Sequence, residues 1–237
     1  VFPENFLHFG LKPIEICQTQ LDSYIEHFKQ KALCHSLNIV LGSVPIPSLE
    51  SPGRCYSRSY LVNKQGEVQA SYDKRHLFDV QVNDAHGHYR ESDTFCPGND
   101  LIVEAIDLSG ACRVGLGMSI CYDLRFPEHY VALREKCADI LVVPSAFTHK
   151  TGAAHWEVLL RARAIENQCF VIAPNQGGQH SKGRQTWGHS MIIDPWGQVI
   201  EQCSEGEDVC TATLDFSKLR KVRNDMPSRS DGHCFMK

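Results

Sequence analysis

Stretches of apolar residues at helical spacing alternate along the chain with short apolar runs that end at Gly, Pro or Asn. The first kind predicts helices over residues 21–35, 127–137, 155–168 and 216–226. The second kind predicts strands over residues 1–6, 38–46, 56–63, 68–72, 101–107, 113–120, 139–147, 169–175, 190–194, 198–203 and 209–215. Strands joined by hairpins thus alternate with strands joined by helices, which favours α/β layers with a mixed sheet.

One apolar run ends in an unusual way. Residues 114–120 are thinned by two glycines and lead directly into Cys121, a polar stretch and Pro127. Because Pro suits the first turn of a helix, we expect Cys121 at a sharp strand-to-helix bend at the carboxyl end of a strand. Hydrolase nucleophiles occupy such bends, and the N–H groups that follow can stabilise an oxyanion. The alternative is a buried thiol that only fills space, which is the usual role of free cysteine.

Composition narrows the class of protein. With 237 residues, 42% of them hydrophobic, the chain is long enough for one α/β domain with a full core. Its net charge of -4, with acids and bases mixed, argues against nucleic acid or an anionic membrane as partner. No apolar run reaches transmembrane length, and no signal-peptide pattern is present. The 11 cysteines lack zinc spacing, which predicts reduced thiols in a cytoplasmic enzyme.

A cysteine nucleophile needs a base for its proton. His76, His155 and His189 are the histidines that the pattern offers, although a residue in such a position is more often a polar surface or capping residue than a base. Glu4 offers a second solution, since it follows Pro3 at the end of a predicted strand, where ligands bind in open α/β sheets. A solvated glutamate is the alternative reading.

Two further charged residues stand near predicted strand ends or loops. Lys74 follows the strand 68–72 and can either lie on the surface or donate to an oxyanion from a buried position. Glu91 lies in the long polar loop 79–99, and loops of this length are often functional. The same loop carries a His-Gly-His motif at 86–88, which we read as solvated rather than as a metal site.

Three blocks of sequence together resemble the nitrilase (carbon–nitrogen hydrolase) superfamily. They are FPENF at 2–6, YDKRHLFD at 72–79 and ICYDLRFPE at 120–128, supported by segments at 90–98, 155–166 and 189–197. Within the superfamily the resemblance is strongest to the branch that holds deaminated glutathione amidase and omega-amidase. It implies a four-layer α-β-β-α sandwich with two mixed sheets. The family's first strand and helix are absent, so we expect residues 1–237 to form one N-terminally incomplete domain.

The resemblance also implies roles for individual residues. Glu4 is expected to be the general base, Lys74 the group that stabilises the oxyanion, and Cys121 the nucleophile. Glu91 matches the second glutamate that positions the lysine and the substrate. The family implies a small-molecule amide substrate, no metal or organic cofactor, and assembly into homodimers or larger homo-oligomers.

Three residues are candidates for contact with the substrate. The backbone N–H of Tyr122 is expected to join Lys74 at the oxyanion. Thr148 and His155 follow the strand 139–147, and we expect them to line the pocket and to contact a carboxylate or carbonyl group. Arg125, next to the bend, is expected to form a structural ion pair.

The leading hypothesis is therefore hydrolysis of the amide bond of a small carboxylate-bearing amide through a cysteine thioester, with release of ammonia. An N-carbamoyl amino-acid hydrolase of the same superfamily is one alternative. A non-catalytic relative that binds a ligand in the same pocket is the other.

Overall fold

The computed structural model describes residues 1–7, 9, 18–82, 84, 87–108, 113–180 and 183–228. Its α-helices are α1 Gln18–His35, α2 Pro127–Glu135, α3 His149–Asn167 and α4 Phe216–Asp225. Its strands are β1 Ile39–Pro47, β2 Cys55–Val62, β3 Val68–Asp73, β4 Asp79–Gln81, β5 His88–Arg90, β6 Phe95–Cys96, β7 Val103–Asp107, β8 Arg113–Met118, β9 Ile140–Val142, β10 Phe170–Ala173, β11 Gly177–Gln179, β12 Gln185–Trp187, β13 Met191–Ile193 and β14 Val199–Gln202. No helix within these described ranges has the length and apolar character needed to cross a membrane.

The first sheet is built from β1, β2 and β3 in that order, all antiparallel. The short strand β6 pairs with the start of β2 in parallel, so this sheet is mixed as predicted. Helix α1 packs against β1 and β2. The predicted hairpin of β2 and β3 is present. Lys74 directly follows the last residue of β3.

The second sheet has the order β14-β13-β10-β9-β8-β7. Its central strands β8, β9 and β10 are parallel, and its outer pairs are antiparallel. Helices α2 and α3 pack against each other and against β8 and β10. Because the three parallel strands end at one edge, the residues that follow them meet there.

Neighbouring residues on the strands of the first sheet pack into different layers. Val40 and Leu61 belong to the main core cluster, together with Val114 of the second sheet. Leu41 and Val62, next to them in the chain, pack with Ala32 of α1. Since successive strand side chains point to opposite faces, one face of this sheet contacts the other sheet and one contacts a helix. The four-layer α-β-β-α sandwich is thereby confirmed.

Several predicted element bounds were wrong. Residues 209–215 form no strand, and Val209 is exposed. Residues 1–3 contact β1 through a hydrogen bond from Phe2 N to Val40 O (2.9 Å) and then turn, without forming a strand. The ladder within 139–147 is limited to β9. Helix α3 begins at His149 rather than at 155, because the Thr148 side chain accepts a hydrogen bond from Thr151 N and caps it.

Candidate active site

The predicted bend is present at Cys121. After β8, the backbone enters a 3₁₀ turn, Cys121–Arg125, and α2 then begins at Pro127. The φ angle of Cys121 is 47°, in the left-handed region, and its N–H donates to Pro144 O at 2.9 Å. A non-glycine residue in this conformation is strained and persists only where its surroundings hold it. The thiol is therefore held at a fixed position at the edge of the parallel strands.

Asp123 helps to fix the turn that carries Cys121. Its Oδ2 atom accepts hydrogen bonds from Ile120 N (2.8 Å) and Tyr72 OH (2.6 Å). Its Oδ1 atom accepts from His76 N (3.0 Å) and lies 2.7 Å from His76 Nδ1. Burial acts to raise the pKa of Asp123, but the hydrogen bond from His76, the electrostatic interaction with His129 and the Tyr72 and Ile120 donors lower it below its usual value. A buried carboxylate thus ties the nucleophile turn to the end of β3.

Lys74 lies between two carboxylates beside this bend. Its Nζ atom donates to Glu4 Oε1 at 2.8 Å and to Glu91 Oε1 and Oε2 at 2.9 and 2.8 Å. Glu91 also accepts from Phe78 N at 2.7 Å. Burial alone would lower the pKa of Lys74, but the charges of Glu4 and Glu91 raise it well above its usual value. Burial raises the pKa of Glu91 despite the nearby Lys74. The ammonium group is therefore permanently charged and fixed in place.

The Cys121 thiol belongs to the same cluster. The Glu4 side chain and the Ala146 backbone are polar neighbours of its sulfur. Burial and the charge of Glu4 raise the pKa of Cys121 well above that of an ordinary thiol, although Lys74 acts in the opposite direction. The resting residue is consequently a neutral thiol, which needs a base at the moment it attacks.

These groups line a cavity of about 310 Å³. The structure brings together six of the predicted site residues in its wall: Glu4, Lys74, Glu91, Cys121, Tyr122 and Thr148. The long loop that carries Glu91 is folded here into the hairpin of β4 and β5 and a 3₁₀ turn, Glu91–Asp93. Other described lining residues include Phe9, His88, Arg90, Arg125 and Arg184.

The structure places His155 and Arg125 differently from what the sequence led us to expect for a cavity residue and a structural ion pair. His155 is exposed on α3 and does not line the cavity, because the helix begins six residues earlier and directs this position to solvent. Its Nδ1 atom instead lies 3.0 Å from Arg125 Nη2. Arg125 lines the cavity, with its guanidinium 5.7 Å from the centre of the Phe147 ring. Within the described ranges it forms no ion pair with a carboxylate.

The role of Gln176 is not apparent from its sequence context. Its Nε2 atom donates to the Glu4 backbone carbonyl at 3.0 Å, so it fixes the backbone of the predicted base. The neighbouring Asn175 accepts a hydrogen bond from Phe147 N at 2.9 Å. The glycines at 177 and 178 indicate a turn. This local pattern does not indicate that the two polar residues before them form hydrogen bonds to backbone groups of the site. Of the His-Gly-His motif, His88 lines the cavity, and residue 86 lies outside the described residues.

A second cluster of potential metal ligands lies beneath the bend. His76, Asp123 and His129 place ligand atoms within 4.8 Å of one another. The oxygens of Asp123, however, already accept hydrogen bonds from Ile120, Tyr72 and His76. The cluster therefore acts as a structural tie of the nucleophile turn, since its carboxylate is saturated by the protein.

Comparison with known proteins decides the family. The family model described as carbon-nitrogen hydrolase matches residues 1–224. The chain belongs to the carbon-nitrogen hydrolase family. A member from Yersinia enterocolitica named deaminated glutathione amidase is 46% identical over 202 residues, which cover 85% of this chain and 69% of the relative. The membership confirms that the chain is an amidase-type hydrolase acting on carbon–nitrogen bonds other than peptide bonds.

Solved structures of carbon-nitrogen hydrolases share this fold. The Caenorhabditis elegans NitFhit protein superposes with a TM-score of 0.86 at 38% identity over 95% of this chain, which spans 54% of that longer protein. An amidase from Nesterenkonia sp. AN1 gives a TM-score of 0.69 at 25% identity, covering 85% of this chain and 71% of the amidase. A mutant of that amidase carries the acetamide moiety of fluoroacetamide on its active-site cysteine. A reactive cysteine therefore occurs in a relative of the same fold.

Proposed function

We propose that this chain hydrolyses the amide bond of a small carboxylate-bearing molecule through a thioester on Cys121. The observation that carries the proposal is the ammonium of Lys74 hydrogen bonded to both Glu4 and Glu91 in the cavity that holds the Cys121 thiol. Three charges and a thiol in one buried cluster are costly to keep unless they serve a reaction.

In the first step the Glu4 carboxylate takes the thiol proton while the sulfur attacks the amide carbonyl carbon. Transfer and attack are coupled because the raised pKa of Cys121 disfavours a free thiolate. Lys74 Nζ and the Tyr122 backbone N–H donate to the oxyanion that forms. Glu91 keeps the ammonium in position through its two oxygens.

In the second step the carbon–nitrogen bond breaks, and protonated Glu4 gives its proton to the departing nitrogen. Ammonia or an amine leaves, and the acyl group stays on sulfur as a thioester. Glu4, again a carboxylate, then takes a proton from water as the water attacks the thioester. The acid product leaves, and the Cys121 thiol is restored.

The carboxylate of the acyl group is assigned to Arg125. This side chain lies four residues after the nucleophile, lines the cavity and shares the wall with Phe147 and Thr148. A guanidinium donates two parallel hydrogen bonds to a carboxylate. The names of relatives, such as deaminated glutathione amidase, support an acyl group of this kind.

Two properties of the protein complete the proposal. The cysteines that the structure describes are free thiols, which supports a location in the reducing cytoplasm. Helix α3 leaves Val158 and Ile165 exposed, which supports contacts between subunits of a homo-oligomer.

A release assay across small amides tests the proposal. Succinamate, 2-oxoglutaramate, N-succinylglycine and an N-carbamoyl amino acid are incubated with the protein and with Cys121→Ala, and ammonia, amine and carbon dioxide are measured. We expect turnover of carboxylate-bearing amides by the parent and none by the variant. Equal turnover by both proteins, or turnover confined to the carbamoyl compound with release of carbon dioxide, contradicts the proposal.

A further inference from the structure

A side chain of α3 holds the far end of the nucleophile turn, Cys121–Arg125. The last carbonyl groups of a helical turn lack donors within the turn itself. Arg163 supplies one of these donors, because its Nη2 atom donates to the Leu124 carbonyl at 2.8 Å. Asp123 fixes the start of the same turn to the end of β3. The turn is therefore held from both sides, by one carboxylate and one guanidinium group.

The same guanidinium group contacts helix α2. Its carbon atom lies 5.5 Å from the centre of the Tyr130 ring, within the range of a cation–π contact. The Tyr130 hydroxyl is 2.8 Å from Ser119 Oγ, and Ser119 comes two residues before the nucleophile. Arg163 is thus connected to the segment before Cys121 through Tyr130, and to the segment after it directly.

The setting of Arg163 is unfavourable for a group that only stabilises the fold. The residue is 4% exposed, and its Nε atom is buried without a hydrogen-bond partner among the described residues. Its carboxylate partner Glu166, at 3.1 Å, is exposed and therefore compensates the buried charge poorly. An apolar side chain of similar volume avoids the cost of a buried, incompletely paired charge. The charge is consequently better explained by what it does to the turn than by stability.

Arg161 provides an internal comparison, two residues earlier on α3. Its Nε atom donates to the Gly197 carbonyl at 2.8 Å, and its Nη1 atom pairs with Glu157 at 3.3 Å. Each arginine thus has one backbone carbonyl and one glutamate of its own helix as partners. They differ in the segment that carries the carbonyl, which is the loop between β13 and β14 for Arg161 and the nucleophile turn for Arg163.

We propose that Arg163 is a positioning residue of the amidase reaction. It holds the Leu124 carbonyl, and with it the turn, where the Cys121 thiol faces Glu4 and the amide carbonyl carbon of the substrate. Arg163 does not line the cavity, so it acts only through the turn. A misplacement of about 1 Å lowers a reaction rate about 100-fold, which gives a distant side chain control over the chemical step. This inference rests on the amidase function proposed above and adds the residue on α3 that keeps the nucleophile in place.

Steady-state kinetics of matched arginine variants test the proposal. Arg163→Met keeps the length of the side chain and removes its donors. We expect kcat for succinamate to fall about 10- to 100-fold per folded molecule, with KM within about 3-fold, because the thiol is misplaced while Arg125 keeps its own contact with Phe147. Arg161→Met is the control and should leave both constants within about 2-fold. Arg163→Lys keeps a charge without the planar fork and should give an intermediate kcat, so it serves as the test if Arg163→Met does not fold.

Chemical rescue separates positioning from a general loss of packing. Arg163→Ala leaves a space where the guanidinium group lay, and added methylguanidinium ion should raise its kcat at least about 5-fold by restoring the charge-assisted hydrogen bond. Methylammonium at the same concentration and ionic strength should not, and Arg161→Ala should respond to neither ion. A role in stability alone would change the urea midpoint and leave the kcat of folded molecules unchanged.

Alkylation of Cys121 separates failure of this inference from failure of the proposed function. Iodoacetamide reacts without amide hydrolysis, and mass spectrometry of the Cys121 peptide gives the rate. Arg163→Met should slow it at least about 5-fold, since a misplaced neutral thiol loses Glu4 as acceptor of its proton, and Arg161→Met should not. If the parent hydrolyses no amide, the proposed function fails while the alkylation rates still decide the role of Arg163.

Four results overturn the inference. The first is a parent-like kcat or alkylation rate in folded Arg163→Met or, where that variant does not fold, in Arg163→Lys. The second is an equal loss in Arg161→Met. The third is the absence of rescue by methylguanidinium. The fourth is failure of both Arg163→Met and Arg163→Lys to fold, which assigns the residue to stability.

Discussion

Cys121 and Cys169 are both buried beside an ion pair, at opposite ends of the parallel strands of one sheet. Cys121 follows β8, and Cys169 directly precedes β10. The first lies next to Lys74 and its glutamates. The second lies next to Arg223, whose Nη1 atom binds Asp139 Oδ1 at 2.7 Å and whose Nη2 atom is 3.7 Å from the sulfur.

Their surroundings differ in what accepts the thiol proton. The Cys169 thiol donates to the backbone carbonyls of Ala138 (3.1 Å) and Asn167 (3.2 Å), and burial raises its pKa to about 12. Neither carbonyl can act as a base at neutral pH. The Cys121 thiol instead faces the Glu4 carboxylate and a cavity. Both thiols are thus buried and close to charged groups. The reactive thiol differs in having a carboxylate that can accept its proton and a cavity that admits the substrate.

The largest difference is expected when each sulfur is removed. Cys121→Ala should lower kcat/KM for amide hydrolysis about 10⁴-fold or more, because the covalent route is lost. Cys169→Ala should leave kcat/KM within about 3-fold and lower the free energy of unfolding by about 1–2 kcal/mol, through lost packing and hydrogen bonds. Product release and urea unfolding measure the two effects. Substantial loss of activity in folded Cys169→Ala breaks the comparison.

The neighbouring carboxylates offer a second test. Glu4→Gln keeps the shape of the side chain but removes the base, so kcat should fall about 10²- to 10⁴-fold. Asp139→Asn should leave activity per folded molecule unchanged. It should lower the free energy of unfolding by about 3–5 kcal/mol, because Arg223 keeps a buried charge without its partner.

Kinetics of the two folded variants measure their activity, and denaturant titration measures their free energy of unfolding. Full activity of Glu4→Gln shows that another group takes the proton.

The pH at which Cys121 ionises provides a further test of the difference between Cys121 and Cys169. A raised pKa favours the neutral thiol, so ultraviolet absorbance should show no thiolate from Cys121 near the usual pKa of about 8.5. Because the Glu4 charge contributes to the rise, Glu4→Gln should move ionisation of Cys121 to lower pH and leave Cys169 unchanged. The Cys121→Ala spectrum supplies the baseline. A thiolate step at or below neutral pH in the parent indicates a thiolate–ammonium pair with Lys74.

The smallest effect is expected at Gln176. Gln176→Leu removes the hydrogen bond to the Glu4 carbonyl and should lower kcat/KM about 3- to 10-fold through poorer positioning of the base. Gln185→Leu, an exposed change on β12, is the control and should leave the rate unchanged. Equal rates for Gln176→Leu and the parent protein refute the positioning role.

The sequence predicted the reactive end of the sheet better than its periphery. The strand with its two glycines, the cysteine and Pro127 follow one another closely along the chain, so local rules suffice to predict the bend. Glu4, Lys74 and Glu91 are distant from it along the chain, and only the family resemblance associated them with Cys121. Their hydrogen bonds depend on how two sheets pack, which no local pattern encodes.

Other predictions failed for reasons that only the fold reveals. His155 looked like the start of a helix, but the cap at Thr148 places it within α3 and faces it to solvent. Residues 209–215 have an alternating pattern without a neighbouring strand to pair with in the described structure. Arg125 and Arg184 carry long side chains whose direction depends on aromatic neighbours remote in sequence, so the charge of their cavity was not foreseen.

Labelling with fluoroacetamide tests the central claim most directly, because its carbon–fluorine bond yields only to an activated nucleophile. The protein is incubated with the reagent near neutral pH, with and without succinamate, and the modified peptide is identified by mass spectrometry. The account predicts one label per chain on Cys121, slowed by succinamate, and none on Cys169. Labelling of another cysteine first, or labelling of Cys121 that succinamate does not slow, contradicts it.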